Sequence, residues 1–127
     1  MKIQHLDHIS LLTANTDAMT AWYGDILGLV PGFRPNFGNV GVWLYSGETV
    51  MVHLIEVLDQ ELTGSEVPLK MEHFAFCADG SPETFEAKLK AAGQTYRRSD
   101  IEEINTAAFN VWDPDGNHIH VDLMLDG

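Results

Sequence analysis

The chain has 127 residues, the size of one ordinary domain, and its 45% hydrophobic and 20% charged content is that of a globular protein. Seven Lys and Arg stand against nineteen Asp and Glu, a formal net charge of −12, which repels phosphate backbones and anionic lipid heads and so argues against nucleic acid and membrane partners. No apolar run is long enough to span a bilayer, and the N-terminus MKIQHLDHIS has charges and histidines where a secretory signal needs continuous apolar residues. A cytoplasmic location is therefore expected.

In chain order, Leu6-Asp7-His8-Ile9-Ser10-Leu11 reads as a strand with one histidine in its middle. A helix from Thr16 to Leu27 follows, with Met19, Trp22, Tyr23, Ile26 and Leu27 on one face. Asn15 or Thr16 caps its start and Gly28 suits a left-handed stop. A short strand is expected around residues 30–34. Residues 40–45 and 50–57 then form a hairpin about Ser46-Gly47-Glu48. Periodicity is lost over residues 58–69, which read as a linker.

The second half repeats the order. Met71-Glu72-His73-Phe74-Ala75-Phe76 is strand-like, and the next helix has Ser81 as N-cap, Pro82 in the first helical position and Glu83 in the positive first turn. Its apolar stripe is Phe85, Leu89 and Ala92, and Gly93 ends it. A short strand is expected around residues 95–98. Residues 107–112 and 118–125 flank Asp113-Pro114-Asp115-Gly116-Asn117, a strong turn sequence. The one cysteine, Cys77, cannot form an internal disulfide, and its apolar surroundings suggest a buried, inert thiol.

His8 and His73 are 65 residues apart, as are Gly28 and Gly93. Trp43-Leu44-Tyr45 aligns with Asn110-Val111-Trp112, and Val52-His53-Leu54 with Ile119-His120-Val121, at an offset of 67. One unit is thus used twice. The expected fold is α+β, a single domain over residues 1–127 with one module in 1–60, the linker at 58–69 and a second module in 70–127. Neither half, at about 60 residues, buries enough surface to be comfortable alone, so the halves must pack on each other or on a second chain.

Alternate residues of a strand share a face. His8, His53, His73 and His120 then occupy equivalent places in the two modules, and duplication relates such places by a pseudo-twofold axis. Converging imidazoles repel one another if protonated and waste hydrogen bonds if buried unpaired. A divalent metal (Zn, Ni, Fe, Mn or Co) removes both costs, because neutral imidazole is a common ligand. His5 falls outside the pattern and reads as a surface residue. His118 has the parity of His120 but sits beside the turn, so it either supports a metal ligand from behind or faces substrate, or else is solvated. Asp122 shares that face and is the candidate base, weighed against an ordinary surface carboxylate. Glu56 falls on the face opposite His53. Trp43, Tyr45, Asn110 and Trp112 flank the histidines and are candidates to line a substrate pocket, weighed against core packing. Arg34, Arg97 and Arg98 read first as surface ion pairs, with a clamp for an anionic substrate as the alternative.

Leu6-Asp7-His8-Ile9, the stretch from Ala21-Trp22-Tyr23 to Leu27-Gly28-Leu29, Met71-Glu72-His73-Phe74 and Asp113-Pro114-Asp115-Gly116-Asn117 together resemble the vicinal oxygen chelate superfamily, over essentially the whole chain. That superfamily includes glyoxalase I, fosfomycin-resistance proteins, methylmalonyl-CoA epimerase, extradiol dioxygenases and bleomycin-resistance proteins. The resemblance implies paired βαβββ modules curling into a cup, metal ligands at His8, His53, His73 and His120, a small-molecule substrate and a homodimer. The family usually has glutamate where this chain has His120. Neither the metal-bound carboxylate base of glyoxalase chemistry nor the two-His-one-carboxylate triad of the dioxygenases is intact. A metal-dependent lyase or isomerase acting on adjacent oxygens is the leading expectation. The alternatives are an Fe(II)-dependent extradiol-type dioxygenase and a non-catalytic small-molecule-binding or resistance protein; a fosfomycin-type thiol transferase lacks its expected sequence features.

Overall fold

Burial alternates along the strands, and that alternation decides what each element packs against. The computed structural model describes residues 1–58 and 71–126. Its elements in order are β1 (Ile9–Thr13), α1 (Thr16–Leu27), β2 (Val30–Gly32), β3 (Gly41–Ser46), β4 (Thr49–Glu56), β5 (Phe74–Cys77), α2 (Pro82–Ala91), β6 (Tyr96–Ile101), β7 (Thr106–Trp112) and β8 (His118–Met124). They fall into two units, one within residues 1–68 and one within 69–127. Apart from Leu58, the expected linker lies outside the described residues.

In the first unit the strands form a mixed sheet in the order β1-β4-β3-β2, with β1 and β4 parallel and the other pairs antiparallel. One face presents Leu11, Thr13, Leu44, Val52 and Leu54, all buried. Helix α1 covers that face with Met19, Trp22, Tyr23 and Ile26 and packs on β2, β3 and β4. Gly28 ends the helix at φ +71°, where a side chain would be strained. The opposite face carries Ser10, Trp43 and His53 and is only partly covered.

The second unit repeats this plan as a sheet in the order β5-β8-β7-β6, again with its first and last strands parallel. Phe74, Phe109, Val111, Ile119, Val121 and Leu123 are buried on one face. Helix α2 meets them through fully buried Leu89 and through Phe85, edge-on to Phe109 at 5.1 Å. Ser81 caps α2 by accepting a hydrogen bond from the Thr84 amide at 3.3 Å. Ala92 lies past the helix end and is exposed, so the stripe is shorter than expected. Arg98 reaches back to α2, donating to Glu83 and Glu86 as well as to Asp100.

Ladder register fixes the repeat. Trp43 and His53 are cross-strand partners in the first unit, and Asn110 and His120 are partners in the second. Gly32 pairs with Trp43, and Arg97 with Asn110. The two-residue length difference therefore falls between the second and third strands of each unit. The α+β class and the two βαβββ modules are as the sequence led us to expect, each module forming its own open sheet.

Two sequence expectations need correction. His8 and His73 are not mid-strand; each immediately precedes its strand, because the parallel ladders start at Ile9 and Phe74. Cys77 is exposed, since it lies opposite Asp122 on the face that α2 does not cover.

Candidate metal centre

The face of each sheet opposite its helix carries the histidines. In the first unit the His8 and His53 rings stack, centroids 3.8 Å apart and planes 12° from parallel. Trp43, the cross-strand partner of His53, stacks on its other side at 4.1 Å. In the second unit His73 and His120 repeat the pairing at 3.8 Å and 4°. Here the partner of His120 is Asn110 rather than an aromatic residue, and His118 stands 4.8 Å from His120 and 5.3 Å from His73.

Protonation follows from the partners. His8 Nδ1 lies 2.6 Å from an Asp7 carboxylate oxygen and His73 Nδ1 lies 3.2 Å from one of Glu72. A carboxylate only accepts, so each Nδ1 carries a proton, and in the neutral ring Nε2 keeps the lone pair. The hydrogen bond from His8 also holds the Asp7 carboxyl below its usual range. Burial, and then the neighbouring His8, lowers the pKa of His53; Arg34 adds to this and Asp7 opposes it. His120 is lowered first by burial, then by His73 and His118, against opposing terms from Asp122 and Glu72. Both half-buried imidazoles are thereby biased to the neutral form, the form that ligates a metal.

Nε2 of His53 and Nε2 of His120 are shut off from solvent and meet no hydrogen-bond partner among the described residues. A buried nitrogen without a partner is costly, and it recurs at equivalent positions of both units. Neutral imidazoles with an unengaged nitrogen are what a first-row divalent ion takes, so the residues present fit the metal. Stacked rings do not share a plane; the broad χ2 torsion of histidine allows them to turn toward a common ion at little cost.

The other residues singled out in the sequence separate into groups. Tyr45 is engaged locally: its hydroxyl donates to the Phe33 carbonyl at 2.6 Å and its ring lies against Gly32. Trp112 stacks on His118 at 5.0 Å. Asn110 is buried and bonds both Arg97 and His118. Asp122 follows His120 on the same face, and its Oδ1 is buried without a partner among the described residues. Glu56 bonds Thr16, and His5 is exposed. Arg98 is the expected ion-pair residue, while Arg34 bonds Asn39 and lies over the Phe37 ring. The sequence reading passed over Asp7 and Glu72 as partners of the histidines. Their signal was visible: a carboxylate directly precedes each repeat-equivalent histidine.

Comparison with known proteins agrees with this architecture. The chain is 29% identical over 126 residues to "Glyoxylase I 4" of Arabidopsis thaliana, across 95% of this chain and 71% of the relative. A putative glyoxalase family protein from Bacillus anthracis superposes with a TM-score of 0.75 at 22% identity, over 98% of both chains. An integron cassette protein from the mobile metagenome of V. cholerae gives 0.74 at 23%, over 97% of both. No described helix is long and apolar enough to cross a membrane. Residues 5–121 match the family model, and the chain belongs to the Glyoxalase/Bleomycin resistance protein/Dioxygenase superfamily.

Proposed function

We propose that this protein is a divalent-metal-dependent lyase or isomerase of the glyoxalase type, acting on a small substrate with adjacent oxygens. Its donors are His8 and His53 in the first unit and His73 and His120 in the second. One observation carries the reading: in each unit an imidazole with a buried, partnerless Nε2 stacks on a second imidazole whose Nδ1–H donates to a carboxylate. The name of the Arabidopsis relative supports a glyoxalase-type activity in this branch of the family.

When bound, a divalent ion polarises a chelated pair of oxygens as a Lewis acid. Because all four donors are imidazoles, no ligand carboxylate doubles as base. Asp122 takes that role in our reading: its unpaired Oδ1 lies on the face of His120, positioned to accept a proton from the substrate. The indoles of Trp43 and Trp112, held flat against His53 and His118, supply apolar walls beside the donors.

Titration of chelator-treated protein with Zn(II), Ni(II), Co(II), Mn(II) and Fe(II), followed by turnover assays on substrates with adjacent oxygens, tests the proposal. Metal-dependent turnover that Asp122→Asn abolishes without loss of metal binding is the expected result. No ion bound under any condition overturns the metal reading. Oxygen uptake with catechols, supported by Fe(II) and not by Zn(II) or Ni(II), replaces the lyase or isomerase with a dioxygenase.

A further inference from the structure

His118 offers a third nitrogen in the second unit, and its surroundings fix which one. We infer that His118 is a metal ligand through Nδ1, so that this unit holds its ion with three imidazoles: His73, His118 and His120. The inference rests on the metal reading above and extends it to a residue outside the repeat-equivalent set.

Among the described residues, one donor nitrogen each from His73, His118 and His120 lie within 4.8 Å of one another. The His120 member has a buried Nε2 with no partner. The tautomer of His118 is fixed by its neighbours. Its Nε2 lies 2.8 Å from Asn110 Oδ1. The orientation of that amide is set by Arg97: Asn110 Nδ2 donates to the Arg97 carbonyl at 3.3 Å, while Arg97 Nη2 donates to Oδ1 at 3.5 Å. Asn110 therefore presents oxygen to His118, and His118 must donate from Nε2. In the neutral ring its Nδ1 then keeps the lone pair.

Glu72 lies 3.9 Å from Nδ1, outside hydrogen-bond reach, and a carboxylate has no hydrogen to offer a bare nitrogen. Trp112, stacked 11° from parallel with the His118 ring, restricts the ring further. A residue held on two sides with its free nitrogen bare is prepared for a cation. Outer groups that fix a ligand's tautomer are the usual support of such sites.

The repeat supplies an internal contrast. Counting 67 residues back from His118 gives Met51, at the irregularity in the β3–β4 ladder, and 67 back from Asn110 gives Trp43. The first unit thus has neither the third imidazole nor the amide that would orient it. The two units are unequal in donor number, and the second is the tighter.

The test uses the full chain and Zn(II) or Co(II) alone. In uniformly 15N-labelled wild-type protein, adding Zn(II) is expected to shift His118 Nδ1 while Nε2 keeps its proton. His118→Ala is expected to weaken Zn(II) binding by about tenfold or more in calorimetry and to alter the visible absorption of the Co(II)-loaded protein. Asn110→Ala, which releases the tautomer, is expected to weaken binding to a smaller extent, and His5→Ala to change nothing. If His73 and His120 nitrogens shift and His118 does not, the inference fails while the metal reading stands. If wild-type protein binds no ion, both fail. The nitrogen shifts need no variant, so a misfolded His118→Ala leaves the test decisive.

Discussion

An imidazole holds an ion only through a nitrogen that carries no proton, and the residue before each first-strand histidine decides which nitrogen that is. Asp7 and Glu72 accept hydrogen bonds from the Nδ1–H groups of His8 and His73. Replacing either carboxylate by alanine frees the ring to change tautomer and is expected to lower metal affinity by roughly 10- to 100-fold, the usual cost of losing such a partner. Calorimetry on the variants checks this, and unchanged affinity would remove these residues from the site. The half-buried His53 and His120 make a second prediction in the metal-free chain. His53 and His120 titrate below the ordinary histidine value of about 6.5 in the folded state. Between their folded values and about pH 6.5, the unfolded chain binds more protons than the folded one. Stability is therefore complete above about pH 6.5 and falls as pH drops below it. Urea midpoints should decrease from pH 7.5 to 5.5, and less so in His120→Gln; a rise on acidification would show that the sign is wrong.

The elements that hold these residues depend on a few turns. Asp113 is buried at the tip of the β7–β8 hairpin and accepts from the amides of Asp115 and Asn117 and from the Asn117 side chain, at 2.8 to 3.0 Å. Gly116 completes the turn at φ +84°. This turn sets the register that places His118 opposite Trp112. Asp113→Ala strands two backbone amides and is expected to cost about 1–3 kcal/mol, read as a lower denaturant midpoint together with weaker metal binding. In the first unit a Cβ on Gly41 would run into the Leu54 carbonyl oxygen and, at 2.8 Å, the Arg34 guanidinium. Gly41→Ala should then cost more than an exposed Gly→Ala change. The helices were legible because their signals are local: Gly28 and Ser81 stop and start them where expected, and the apolar spacing of α1 matches its buried residues. Strand ends were less so, since the residue at which a ladder begins depends on a partner strand some 40 residues away, and His8 and His73 fell just outside. An apolar run likewise does not say which face its cysteine takes. The parity of His118 was readable, whereas its tautomer depends on Asn110 and Arg97 from two other strands.

At the scale of the molecule, a net charge of −12 and a cluster of imidazoles both attract divalent cations, and the two must be separated. A diffuse acidic surface gains from any cation, because screening relieves self-repulsion whatever the ion. Mg(II) is hard, prefers oxygen and keeps its waters, so it acts on the surface charge and leaves nitrogen donors alone. Zn(II), Ni(II) and Co(II) also accept imidazole. At one hundred times the dissociation constant a specifically bound ion adds about 2.7 kcal/mol. For a domain of this length that corresponds to a rise in Tm on the order of 10 °C. Equal concentrations of Mg(II) and Zn(II), added to chelator-treated protein in buffer of about 0.15 M ionic strength, should therefore separate: Mg(II) shifts Tm little and Zn(II) shifts it strongly. The Zn(II) excess should shrink in His73→Ala and in His120→Ala and persist in His5→Ala, whose exposed histidine belongs to the surface alone. If Mg(II) and Zn(II) raise Tm by the same amount, the acidic surface accounts for the binding and the histidines must be read as something other than ligands.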